Sequence, residues 1–182
     1  MAVTPRFAAA RMAVLAAVVT VAACSAGARR DASSIALDPC AAPGTDTAGW
    51  TVVDAGQFGF SVPPGYARRE VQGIDSYVGE WRGPGRRFVH FDWGHWSSTL
   101  DEAERMLHGY QECAAGIGGH RAKVVAGYDT AGTWGGPGRK YVVAATWRDV
   151  HPDTHLTLFA AGPDSADLPA LLSIVRSVRF EP

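Results

Sequence analysis

Residues 139–150, "RKYVVAATWRDV", constrain the fold more than any other stretch of the chain. On extended backbone, successive side chains point to opposite faces. Tyr141, Val143, Ala145 and Trp147 then share one face, and Val142 and Ala144 share the other. A strand wet on one side alternates apolar with polar. This one is apolar on both, so it predicts a sheet covered on both faces, at least at its centre. The neighbouring segments supply partners. "WTVVDA" (50–55) and "FGFSVPP" (58–64) read as short strands, and "IDSYVGEW" (74–81) and "RRFVHFDW" (86–93) flank the turn "RGPG" as a hairpin. "RAKVVAGYDT" (121–130), "HLTLFAAG" (155–162) and a final "VRF" (178–180) read as further strands.

Two helices are expected. Leu100, Ala103, Leu107, Tyr110, Ala114 and Ile117 recur at helical spacing. Thr99 and Glu102 fit a capping box, and Gly116, Gly118 and Gly119 supply a stop. In "DLPALLSIVRSVRF", Asp167 is placed to cap, Pro169 sits in the first turn, and Leu168, Leu171, Leu172 and Val175 form a stripe. Strands, helix, strands, helix is the order of an α+β domain.

The amino terminus is organised differently. "MAVTPRFAAARM" carries Arg6 and Arg11 and no acid, and the apolar run "AVLAAVVTVAA" ends at Cys24. Basic start, short apolar middle and small residues are the layout of an export signal. The run is shorter than the ~20 residues a spanning helix needs. Val21-Ala22-Ala23-Cys24 resembles the lipobox of bacterial lipoproteins. The resemblance implies a signal peptide over 1–23, removed on export, and lipid (diacylglycerol, commonly with a further acyl chain such as palmitate) on Cys24. Two or more acyl chains give stable anchoring, at ~0.8 kcal/mol per buried methylene. Ser25 after the cysteine resembles outer-membrane sorting where a cell has two membranes. With one membrane, the protein would sit on the outer face of the cytoplasmic membrane.

Residues 24–47 are rich in Ala, Ser, Gly, Asp, Pro and Thr and read as a flexible tether, leaving one domain over 48–182. Removing residues 1–23 takes two of the 17 basic residues and none of the 18 acidic ones, a balance of −3. With no Lys/Arg cluster, nucleic acid is not an expected partner. Cys40 and Cys113 remain. An exported protein meets an oxidising compartment, which favours a Cys40–Cys113 disulfide over two separate thiols.

An opening "FGFSVPPGY", hairpin strands, a long helix, three further strands and a closing "ALLSIVRSVRF" resemble the Mog1/PsbP-like fold over about residues 50–182. The resemblance implies a central, mostly antiparallel sheet with helices packed on both faces, an αβα sandwich. The roles it implies run from partner binding to assembly support, without enzymatic activity as a hallmark and with no functional residues to carry over.

"HFDWGHW" (90–96) raises the question of chemistry. On a strand His90 and Asp92 share a face, and His95 lies past Gly94. A second cluster, His151, Asp153 and His155, brackets Pro152. Imidazole and carboxylate suit zinc and similar ions, and convergence of the two clusters would supply up to four ligands. Polar strand faces and turns account for the same residues without a metal. Trp96 and Trp134 sit in loops beside Ser or Gly and are candidates for a binding surface. Catalytic signals are absent: Gly59-Phe60-Ser61-Val62-Pro63 lacks the second glycine of a nucleophile elbow, and "GTWGGPGRK" has the wrong spacing for a phosphate loop. Neither an enzyme nor a cofactor is therefore expected. The sequence points to a membrane-anchored envelope lipoprotein whose domain binds a protein partner or supports an assembly. A small-ligand or metal-binding envelope protein using the His/Asp clusters is the alternative.

Overall fold

The computed structural model describes residues 38–134 and 136–181. Cys24, the signal segment 1–23 and tether residues 24–37 lie outside the described residues. The elements are β1 (Thr51–Asp54), β2 (Phe58–Val62), β3 (Ala67–Arg69), β4 (Tyr77–Arg82), β5 (Phe88–Gly94), α1 (Ala103–Met106), β6 (His108–Ile117), β7 (His120–Tyr128), β8 (Tyr141–His151), β9 (Thr154–Gly162), α2 (Leu168–Arg176) and β10 (Arg179–Phe180). β1, β2 and β10 form a small sheet with β2 in the middle. The other seven form a large sheet in the order β3-β4-β5-β9-β8-β7-β6. Every pairing is antiparallel.

The two-faced strand is β8, close to the centre of the large sheet. Val143, Ala145 and Trp147 face the main core with Leu156 and Leu158 of β9, Val89 and Phe91 of β5, and Val124 and Ala126 of β7. The small sheet and α2 seal this face. Phe58 meets Phe91 edge to face at 4.9 Å, and Phe60 meets Trp81 at 5.3 Å. Such pairs add to the area they bury. Gly79 of β4 makes room: a Cβ there would lie 2.4 Å from the Phe91 ring. α2 packs across β8, β9 and β2 through Leu171, Leu172, Ile174 and Val175.

The opposite face is covered more thinly. Val142 and Ala144 of β8, Val125 of β7 and Phe88 of β5 pack against Leu100, Ala103 and Leu107. The loop after β5, the single turn α1 and Trp134 supply this cover among the described residues.

This arrangement corrects the expected fold class. The molecule is a sandwich of antiparallel sheets with one substantial helix on one face, not an αβα sandwich with helices on both. The expected helix over 99–119 contracts to Ala103–Met106, and residues 108–117 form the edge strand β6. Leu107 is already extended (φ −107°, ψ 125°), which ends the helix, and Gly109 follows at φ +61°. Beyond it Cys113, Ala115 and Ile117 turn toward the core at period two, while Glu112, Ala114 and Gly116 are exposed. Small residues satisfy helical and extended patterns alike, and pairing with β7 decides between them. The Thr99–Glu102 capping box does not form; Thr99 Oγ1 donates instead to Asp101. Asp167 makes no cap to α2 and pairs with Arg87 at 2.7 Å. β3 and β6 had no counterpart among the expected strands.

Cys40 and Cys113 form a disulfide, with Cα atoms 6.0 Å apart. Residues 38–47, within the stretch assigned to the tether, lie along α2. Arg176 donates to the carbonyls of Ala42 (2.7 Å), Cys40 (2.9 Å) and Pro39 (3.0 Å). The Thr45 amide donates to Ser173 Oγ at 2.6 Å. Among the described residues no helix is long and apolar enough to cross a membrane.

Candidate functional site

The thin cover leaves a cavity of about 870 Å³ on the outer face of the large sheet. Its floor follows from strand register. Phe88, His90 and Asp92 of β5 alternate away from Val89, Phe91 and Trp93, which join the main core. His90 is flanked by Glu80 of β4 and Phe159 of β9, and Asp92 by Val78 and Thr157. Phe88, His90 and Phe159 line the cavity.

One wall is the loop of residues 95–102. A knot of hydroxyls pins it to the sheet. Thr157 Oγ1 donates to the Ser98 carbonyl and lies 3.2 Å from both Ser97 Oγ and Thr146 Oγ1. Ser97, Thr146 and Thr157 are all buried, so this cluster satisfies its own polar groups. Leu100 then holds φ +59°, a conformation costing roughly 1–2 kcal/mol for a residue with a Cβ. Its side chain is 1% exposed beneath the loop, and burial offsets the strain.

The other wall is Trp134. Asp129 is buried at the end of β7, and its two carboxylate oxygens accept from Gly132 N–H (2.8 Å) and Trp134 N–H (2.6 Å). This folds the 129–134 turn back over the sheet. The Trp134 ring meets Phe159 edge to face at 5.3 Å, and its indole N–H donates to Met106 Sδ at 3.1 Å.

The rim is polar and aromatic. Trp96 is 73% exposed and stands edge-on to His95 at 4.6 Å. His95 Nδ1 bonds the Asp153 carbonyl at 3.1 Å, and His155 Nδ1 bonds the Arg148 carbonyl at 3.0 Å. A carbonyl only accepts, so each Nδ1 carries the hydrogen. Arg148, Asp101 and Glu102 add charge to the lining.

His90 differs from these two. Among the described residues its imidazole has no hydrogen-bond partner. Burial holds its pKa below the ordinary 6.5, against the opposing pull of Glu80 and Asp92. The ring is therefore neutral near pH 7, with one N–H and one bare nitrogen. Asp92 beside it keeps Oδ1 buried and without a hydrogen-bond partner among the described residues.

The six candidate metal ligands do not converge. His90, His95 and His155 reach the cavity, with the His95 and His155 rings 6.4 Å apart. His151 bonds the Pro152 carbonyl at 3.0 Å in the turn after β8, and Asp153 occupies that turn at φ +55°. Asp92 is not among the residues lining the cavity. Among the described residues no three His, Cys, Asp or Glu side chains are placed to hold a metal ion. Both tryptophans singled out from sequence line the cavity, Trp96 at its mouth and Trp134 in its wall. Sequence reasoning missed Asp129, Met106 and the hydroxyl knot. The Asp-x-x-Gly spacing of Asp129 and Gly132 was a legible turn signal; Thr146 and Thr157 meet Ser97 only through register.

The sequence matches no protein-family profile and no curated protein. Among solved structures, the chain is similar to cyanobacterial PsbP (CyanoP) from Synechocystis sp. PCC 6803, at 12% identity and a TM-score of 0.51, over 77% of this chain and 97% of that one. The Ran-binding protein Mog1p of Saccharomyces cerevisiae aligns at 12% identity and a TM-score of 0.44, over 72% of this chain and 95% of that one. The likeness to CyanoP shows a PsbP-like fold for this domain.

Proposed function

We propose that this chain is an envelope lipoprotein, held to a bilayer through Cys24, whose domain binds a protein partner at the cavity face without catalysing a reaction. One observation carries the binding assignment. An aromatic-walled cavity opens on the thinly covered face, with Trp96 73% exposed at its mouth. Large exposed aromatics beside a pocket are typical interface anchors. The hydroxyls of the wall support a structural role: Ser97 is tied to Thr157, and Ser98 Oγ accepts from the Leu100 amide. Neither is paired with a histidine among the described residues, as an activated nucleophile would be.

A photo-crosslinking amino acid at position 96, in cells, tests the binding face. The expected result is a discrete adduct that is absent when the probe replaces Val52, which is 56% exposed on the small sheet. Identical adducts from both positions, or none, would count against it. For the anchor, Cys24→Ala is expected to block maturation and release the protein from the membrane fraction. Normal maturation and membrane retention would remove that part of the proposal.

A further inference from the structure

We infer that the cavity takes an aromatic ring carrying an O–H or N–H donor, supplied as a tyrosine or tryptophan side chain of the protein partner. The inference rests on the binding face proposed above and names the chemistry that the face recognises.

The walls argue for a ring. Phe88, Phe159 and Trp134 present aromatic surface around one space, and Met106 adds a thioether beside them. Rings meet rings favourably edge to face, and sulfur does the same. The floor argues for a donor. His90 offers a bare imidazole nitrogen with nothing to accept from among the described residues. His90 is half-buried and lines the open cavity, so a ligand donor would replace water at that nitrogen. The charges argue for neutrality. The carboxylates of Glu80 and Asp92 stand close enough to act on His90, which disfavours an anion at the floor. The mouth carries both signs, Arg148 together with Asp101 and Glu102, and so selects neither. Any full charge placed among the aromatic walls loses its hydration. A phenol or an indole meets all three conditions, whereas phenylalanine, a neutral ring, lacks only the donor. At about 870 Å³ the space exceeds one ring, which leaves room for the residues flanking it.

Burial keeps His90 neutral, so its accepting nitrogen persists at physiological pH.

Calorimetric titration of the full chain with N-acetyl-tyrosinamide, N-acetyl-tryptophanamide and N-acetyl-phenylalaninamide tests this. At least one donor-bearing amide is expected to bind roughly tenfold more tightly than the phenylalanine amide. In His90→Phe that preference is expected to vanish. Trp134→Ala removes a wall without touching the floor, so it is expected to weaken all three amides while the preference survives. Free p-cresol separates the sources: weaker binding than the tyrosine amide supports a side chain, and tighter binding overturns that source in favour of a free phenol. Equal affinities for the three amides, no saturable binding, or a preference that persists in His90→Phe would overturn the inference. The crosslinking result at position 96 stands or falls separately, so failure of the ring chemistry does not mimic failure of the binding face.

Discussion

The two faces of the seven-stranded sheet are built from the same strands yet finished in opposite ways. On one, α2 and the small sheet bury Trp147, Phe91, Leu158 and their neighbours completely. On the other, loops and one helical turn cover Val142, Ala144 and Val125 and leave a cavity over His90 and Phe159. The first face spends its apolar surface on folding. The second keeps part of it accessible, together with an imidazole that has no hydrogen-bond partner among the described residues. A sealed core and an open cavity thus lie on opposite sides of one layer.

That division is open to mutation. The largest loss is expected on the sealed face: Trp147→Ala should cost about 3–5 kcal/mol in denaturant unfolding. A comparable loss from a residue at the cavity mouth would break the contrast. Replacing Cys40 and Cys113 together with serine removes a cross-link between positions 73 apart in sequence. A loop of that length is worth about 4 kcal/mol in the chain-entropy model, and the observed loss should fall within about 2–5. Asp129→Ala strips two loop amides of their acceptor, so about 1–3 kcal/mol is expected. It should also release Trp134, readable as loss of the Trp134 contact shifts in NMR. A smaller effect comes with pH. His90 is held below 6.5 in the folded chain, so below that pH the unfolded chain binds a proton that the folded one resists. Its contribution is full above pH 6.5 and shrinks as pH falls. Thermal melts from about pH 7.5 to about pH 5 should therefore drop more for the wild type than for His90→Asn. The smallest change is expected at Trp96, where alanine should leave stability within about 0.5 kcal/mol while weakening partner binding.

β8 announced a sheet covered on both sides, and it is covered on both sides. What covers each side was not legible there, because burial of a strand face is the same whether a helix, a sheet or a loop lies over it. The segment after Leu107 shows the limit most clearly. Ala114 and Ala115 fit a helical stripe and an alternating strand equally, and only the free edge of β7 chose between them. The Cys40–Cys113 pairing was accessible from counting and compartment alone. His90, His95, Trp96 and Trp134 drew attention for their residue types, and the fold does gather them round one cavity. Their grouping depends on β5 lying next to β9 and on the turn held by Asp129, neither of which leaves a local trace at those four residues.

Arg176 grips three carbonyls of residues 39–42, and the disulfide rivets the same segment to β6. The described chain therefore begins fixed beside α2. A pull on residue 38 from its amino-terminal side would enter the fold through guanidinium and sulfur. The aromatic mouth opens on the opposite face of the large sheet from α2, apart from that point of entry.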